Sequence, residues 1–256
     1  MRFPDVPRVI YGENPLSEVV CQVRFPRLLL LDERVPVAFQ KEVGDSFPNV
    51  ETRETSNVVV SGGGIPLPNI DRRIIYDFKS QSGDFVVSLC SDFIAFRSTE
   101  YRRWEDFFAQ VKLGVESLYR CYSIKYISRV GLRYVNLIDR RRLGLDGHYW
   151  RDLVRESMLG LLADPDIETK AIAGFGAATK LDLEVGSVVI NSGLHSESDT
   201  ENPKFVMDCD FFLEGPTGNL HDAYKLLEDY NKSARNAFRW FIEEPLHQAL
   251  KPRELA

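Results

Sequence analysis

Two stretches of the chain alternate in the same way. In Ile124 to Ile138 (IKYISRVGLRYVNLI) and Ser17 to Pro26 (SEVVCQVRFP), β-branched and aromatic residues recur at every second position. This period predicts strands, because successive side chains on a strand point to opposite faces. Arg129, Gly131 and Arg133 then share one face, and Val130, Leu132 and Tyr134 the other. In the earlier stretch Val20, Gln22 and Arg24 oppose Val19, Cys21, Val23 and Phe25, and Arg24 sits in V-R-F as Arg133 sits in L-R-Y. Two strands of this kind predict a sheet with one buried and one polar face.

The remaining pattern supplies the other elements. Pro36 opens an expected helix through about Ser46, with Phe39, Val43 and Phe47 on one stripe. Residues 48 to 72, with Gly62-Gly63-Gly64 and three prolines, read as a long loop around a short strand at Val58 to Val60. Arg73 to Lys79 and Asp84 to Leu89 flank the turn Gln81-Ser82-Gly83 as a hairpin, and Asp92 to Arg97 gives another strand. Ser98 or Thr99 is placed to cap a helix whose Tyr101, Trp104, Phe108, Val111, Val115, Leu118 and Tyr122 keep helical spacing. Gly114 inside it suits a close approach to a sheet.

After the charged loop Asp139 to Arg142, the pattern predicts a helix over Tyr149 to Leu162 and strands at Ala171 to Leu183, Val185 to Leu194 and Phe205 to Leu213. Asn219 or His221 leads into a terminal helix to about Leu250, interrupted at Pro245. Each half, 1–123 and 124–256, therefore reads as βαβββα. Trp104-Glu105-Asp106-Phe107 also aligns with Leu227-Glu228-Asp229-Tyr230. The expectation is an α+β internal duplication forming one mainly antiparallel sheet with helices on one face, laid out like the saddle of the TATA-binding protein by fold analogy.

Composition narrows the function classes. The 256 residues are 44% hydrophobic and 27% charged, ordinary for a globular chain, and long enough for one large domain or two small ones. A net charge of −6 argues against wrapping duplex nucleic acid, which needs many phosphate contacts. Cys21, Cys90, Cys121 and Cys209 are far apart and match no metal-ligand spacing, as expected of reduced thiols in the cytoplasm. The first dozen residues carry no apolar run of signal-peptide length, and no segment approaches a membrane span.

Candidate chemistry is sparse. Gly62-Gly63-Gly64 lacks the lysine and hydroxyl ending of a phosphate-binding loop. His148, His195, His221 and His247 are scattered, and no catalytic set or cofactor is expected. Asp182 and Glu184 share one strand face, and Asp208 and Asp210 share another. On neighbouring strands the four acids would make a divalent-metal site; otherwise they belong to an exposed face with Leu181, Leu183, Met207, Cys209 and Phe211 turned inward. Gln22, Arg24, Arg129 and Arg133 form the strongest constellation, a ligand-binding candidate. The competing reading pairs these arginines with acids on adjacent strands. Arg140-Arg141-Arg142 reads as a solvated charge run.

The segment Asn14-Pro15-Leu16-x-Glu18-Val19-Val20-Cys21-Gln22-Val23-Arg24-Phe25-Pro26 resembles the opening of a sporadically distributed family of uncharacterised prokaryotic proteins of about this length. Tyr101-x-x-Trp104, the Arg129 to Asn136 strand and Asp208-x-Asp210 are similar to that family too. The resemblance implies no activity; its patchy occurrence implies a mobile role or one linked to bacterial defence or toxin control. The resulting expectation is a non-enzymatic binding protein whose polar sheet face engages a partner protein or small anionic ligand, with no membrane association. A homo-oligomer is compatible with the pattern. The alternative is a metal-dependent enzyme acting on phosphate esters or nucleotides through the four acids.

Overall fold

The computed structural model describes residues 1–59, 69–195, 202–217 and 219–254. In chain order its strands are β1 (Val9–Tyr11), β2 (Leu16–Arg24), β3 (Asn49–Val59), β4 (Asn69–Lys79), β5 (Phe85–Leu89), β6 (Phe93–Ser98), β7 (Ile127–Ile138), β8 (Gly176–Asp182), β9 (Ser187–His195), β10 (Lys204–Thr217) and β11 (Pro252–Glu254). The helices are α1 (Leu29–Glu33), α2 (Val37–Val43), α3 (Trp104–Cys121), α4 (Leu220–Phe241) and α5 (Glu244–Ala249). The fold is α+β with a large antiparallel sheet. Among the described residues, nine strands are hydrogen-bonded in the order β3-β4-β5-β6-β2-β7-β10-β9-β8, and β1 pairs separately with β11. The chain divides into two compact units: Val20–Val130 with Glu214–Ala223, and Met1–Val19 with Gly131–Leu213 and Tyr224–Ala256.

In the unit built on Val20–Val130, the period-2 pattern of β2 buries Cys21 and Val23 and leaves Arg24 exposed. Helices α2 and α3 cover the apolar side of the strands: the Phe39 and Phe78 rings lie 5.2 Å apart, and Phe85 lies 5.6 Å from Phe47 and 5.5 Å from Phe107. Along α3 the buried residues Trp104, Phe108, Val111, Val115 and Leu118 keep the expected spacing. Gly114 faces Phe96, and a Cβ there would lie 2.8 Å from the ring's Cζ. The helix starts later than expected, with Arg103 before it and no side-chain cap. Ser98 instead ends β6, and Thr99 is tied back to the Asp84 carbonyl through its N–H at 3.0 Å.

One expectation for this unit needs correction. Residues 49–59 are not a loop but the full strand β3, paired along its length with β4. Its polar run Glu51-Thr52-Arg53-Glu54 is exposed because β3 is an edge with one neighbour, so no apolar alternation marks it. Gly62-Gly63-Gly64 lies outside the described residues.

In the other unit, α4 packs over the buried side of β9 and β10, with the Tyr230 ring 6.0 Å from Phe211 and its hydroxyl donating to the Val185 carbonyl at 3.4 Å. Asn219 caps the start of α4, its Oδ1 accepting the Asp222 N–H at 3.0 Å, within the Glu214–Ala223 segment that groups with Val20–Val130. The helix breaks at Ile242–Glu243, and Pro245 sits in the first turn of α5, where its missing N–H costs nothing. The helix expected over Tyr149–Leu162 is instead a series of 3-10 turns, Trp150–Asp152, Glu156–Met158 and Gly160–Ala163. The reason is tertiary: the Arg155 N–H donates to the Phe241 carbonyl, and the Leu153 carbonyl accepts from Glu243, so these groups leave the i to i−4 ladder. Gly160 at φ 51° interrupts it again. β8 begins at Gly176 rather than Ala171. The N-terminal segment is also structured: Phe3 is buried between Trp240 and Phe241, and β1 pairs with β11. Among the described residues no helix is long and apolar enough to cross a membrane.

Candidate functional site

The polar face is visible in the register of the strands. Asp208 on β10 lies opposite Asn191 on β9, which lies opposite Ala178 on β8; Asp210, Val189 and Lys180 form the next row. Paired residues share a face, so these side chains stand on one side. Met207, Cys209, Phe211, Val188 and Ile190 are buried on the other. On β7, Arg133 stands with the polar set between buried Leu132 and Tyr134.

Arg133 is engaged through two of its nitrogens. Its Nε donates to Asp208 Oδ1 at 2.7 Å and its Nη2 to Oδ2 at 2.8 Å, a two-pronged, charge-assisted contact. Asn191 Nδ2 adds a bond of 3.3 Å to the same carboxylate. The Asp208 side chain is 9% exposed and that of Arg133 46%, so the acid lies within the sheet surface and the guanidinium covers it. Asp208's hydrogen bonds hold the Arg133 pKa above its ordinary value, burial opposes this, and the charges of Asp208, Asp210 and Glu18 add to it. Arg133 is thus paired with an acid on the neighbouring strand β10.

The second polar group belongs to the unit built on Val20–Val130. Arg129 Nη1 donates to Gln22 Oε1 at 3.1 Å, which joins β2 to β7 by side chains on the face opposite Cys21 and Val23. Arg24, two residues along the same face as Gln22, is exposed, and among the described residues it has no hydrogen-bond or ion-pair partner. Gln22, Arg24 and Arg129 thus stand on one polar strand face, while Arg133 belongs to the other unit with its own acid.

The four acids are not brought together. β9 lies between β8 and β10, so Asp182 and Asp208 are not on adjacent strands. Asp182 accepts from the Ser187 hydroxyl at 2.9 Å, and Glu184 lies past the end of β8 in the connection to β9. Among the described residues no group of three or more His, Cys, Asp or Glu side chains is placed to hold a metal ion. Reading the sequence missed Asn191 and Glu18 as neighbours of the Arg133 pair. Only the register of β9 on β10 makes Asn191 a partner, although its alternation with Ile190 and Ser192 puts it on the polar face. No protein-family model and no curated protein matches the chain.

Proposed function

We propose that the protein is a non-enzymatic binding module that presents a polar sheet face to an acidic partner protein or small anionic ligand. The observation that carries this is Arg24, exposed on the face shared with Gln22 and without a partner among the described residues. Arginine suits a carboxylate or phosphate because its planar fork binds either through two bonds. Beside it, Arg129 is held to Gln22, so a second cation is already oriented when the ligand arrives. Arg133, the remaining candidate, is paired with Asp208 in the other unit and is not part of this face.

The same reading includes internal duplication. Its support is the matching order of strands in the two runs, β2-β6-β5-β4 and β7-β10-β9-β8, each followed in sequence by a long helix. β3 has no counterpart in the second run. A saddle-like layout is part of this proposal by analogy alone. The four free cysteines support a reducing, cytoplasmic setting. A link to bacterial defence rests on the family resemblance.

The test is native mass spectrometry of the protein purified from its own host, followed by the Arg24→Ala, Arg129→Ala double variant. Losing two charge-assisted bonds of about 1.5–3 kcal/mol each should weaken binding roughly a hundredfold or more with little change in melting temperature. A wild-type protein that elutes alone and unliganded under several conditions overturns the proposal. So does a double variant that keeps its co-purifying ligand.

A further inference from the structure

β8 closes one end of the strand order, with β9 on one side and no strand on the other among the described residues. Open edges invite pairing with another chain, and proteins usually blunt them with charge. β3 follows that rule: it carries Glu51, Arg53 and Glu54, with Arg53 held to Asp77 at 2.7 Å. β8 carries Lys180 and Asp182 only in its second half, and its first four residues, Gly176-Ala177-Ala178-Thr179, are uncharged and exposed. On the side where β9 and β10 bury Val188, Ile190, Cys209 and Phe211, β8 leaves Ala177 and Thr179 exposed and Leu181 half-buried. Half-buried Phe175 and Leu183 extend the same line at both ends.

The hydrogen bonds fix which backbone groups are available. Leu194 N–H donates to the Phe175 carbonyl and Leu183 N–H to the Gly186 carbonyl, so residues 175, 177, 179, 181 and 183 point their backbone toward β9. Those of Gly176, Ala178, Lys180 and Asp182 point outward. The outward direction is already used once, since the Met1 ammonium donates to the Asp182 carbonyl at 2.9 Å.

We infer that this edge is a dimerisation surface occupied by β8 of a second copy, antiparallel about a twofold axis at Thr179. In that register Ala178 meets Lys180 of the second copy, and Gly176 meets its Asp182, where the Gly176 N–H takes the place of the Met1 ammonium on the Asp182 carbonyl. Thr179 faces itself. On the apolar side Ala177 meets Leu181 and Phe175 meets Leu183, which removes from water the side chains that this edge leaves uncovered. On the polar side Lys180 faces Ala178 and Asp182 faces Gly176, so no like charges stand directly opposite. Only a segment complementary to itself can make such an isologous contact.

Sedimentation velocity over a dilution series should show a monomer–dimer equilibrium. Ala178→Pro removes an outward N–H, which an edge strand tolerates without losing its ladder to β9, and should weaken the dimer at least about tenfold. Thr179→Cys should give a disulfide-linked dimer on mild oxidation, because the axis brings the two residues face to face, and Ala177→Cys should not. In the wild type, amide exchange at Ala178 and Lys180 should slow with rising concentration. A monomer at every concentration overturns the inference and leaves the edge to some other strand. A dimer unaffected by Ala178→Pro and not cross-linked through Thr179→Cys overturns it too, and if Ala178→Pro fails to fold, the cross-link decides. Neither Arg24 nor Arg129 lies on β8, so this test and that of the binding face succeed or fail separately.

Discussion

Removing Arg133 should cost more stability than neutralising Asp208, although the two residues make the same contact. The asymmetry follows from burial: the Asp208 side chain is 9% exposed and the Arg133 side chain 46%. Arg133→Ala takes away bonds of 2.7 and 2.8 Å and leaves the carboxylate only the Asn191 contact at 3.3 Å. Stranding one member of a fully buried pair costs about 3–5 kcal/mol. Water entering the half-open space left by the guanidinium reduces that to about 2–3 kcal/mol. Asp208→Asn keeps the shape and leaves an arginine that water already reaches, for a loss of about 1 kcal/mol. The double variant removes the stranded charge, so it should be more stable than Arg133→Ala alone. Urea unfolding followed by far-ultraviolet circular dichroism measures all three. The reasoning fails if Asp208→Asn is the costlier single change, or if the double variant is the least stable of the three.

Gly114→Ala should destabilise despite the helix propensity gain of about 1 kcal/mol, because the added methyl meets the Phe96 ring, with Cζ at 2.8 Å. Adding Phe96→Leu should recover part of the loss in a thermal melt. In thiol labelling of the native protein, half-exposed Cys121 should react first. Cys21 and Cys209 should wait for unfolding, since burial raises both thiols and pushes Cys209 up to about 12. Burial likewise pushes Tyr11 and Tyr122 up to about 12. An unfolded tyrosine ionises near pH ~10, so above that the unfolded chain releases protons that the folded chain keeps. Stability should be unaffected by these groups below about pH 10 and should fall as pH rises toward about 12. Tyr11→Phe should flatten the decline seen in urea titrations.

The sequence was most legible where one face is buried and the other wet. In β2, β7 and α3 the side-chain period alone sorted Cys21, Val23, Val130, Leu132, Val111 and Val115 into the core. It was least legible where a neighbour decides the local structure. β3 has polar residues on both faces because it is an edge, and residues 149–163 lose their helix to hydrogen bonds with the end of α4 and the residue Glu243 after it. The candidate site divides in the same way. Alternation placed Arg133 and Asp208 on polar faces, but their contact depends on β10 lying beside β7, and the separation of Asp182 from Asp208 depends on β9 lying between their strands. Neither fact is written in any local pattern.

The division of the chain also sets an order of events during synthesis. Residues 20–130 are contiguous and make up nearly all of one unit, with only Glu214–Ala223 arriving later. The other unit is assembled from Met1–Val19, Gly131–Leu213 and Tyr224–Ala256, and its Val9–Tyr11 strand must wait for Pro252–Glu254. Contacts between such distant segments close large loops and form slowly. On the ribosome, then, the unit carrying Arg24 can fold while the unit carrying Arg133 is still incomplete, with Val9–Tyr11 held in reserve until Pro252–Glu254 emerges.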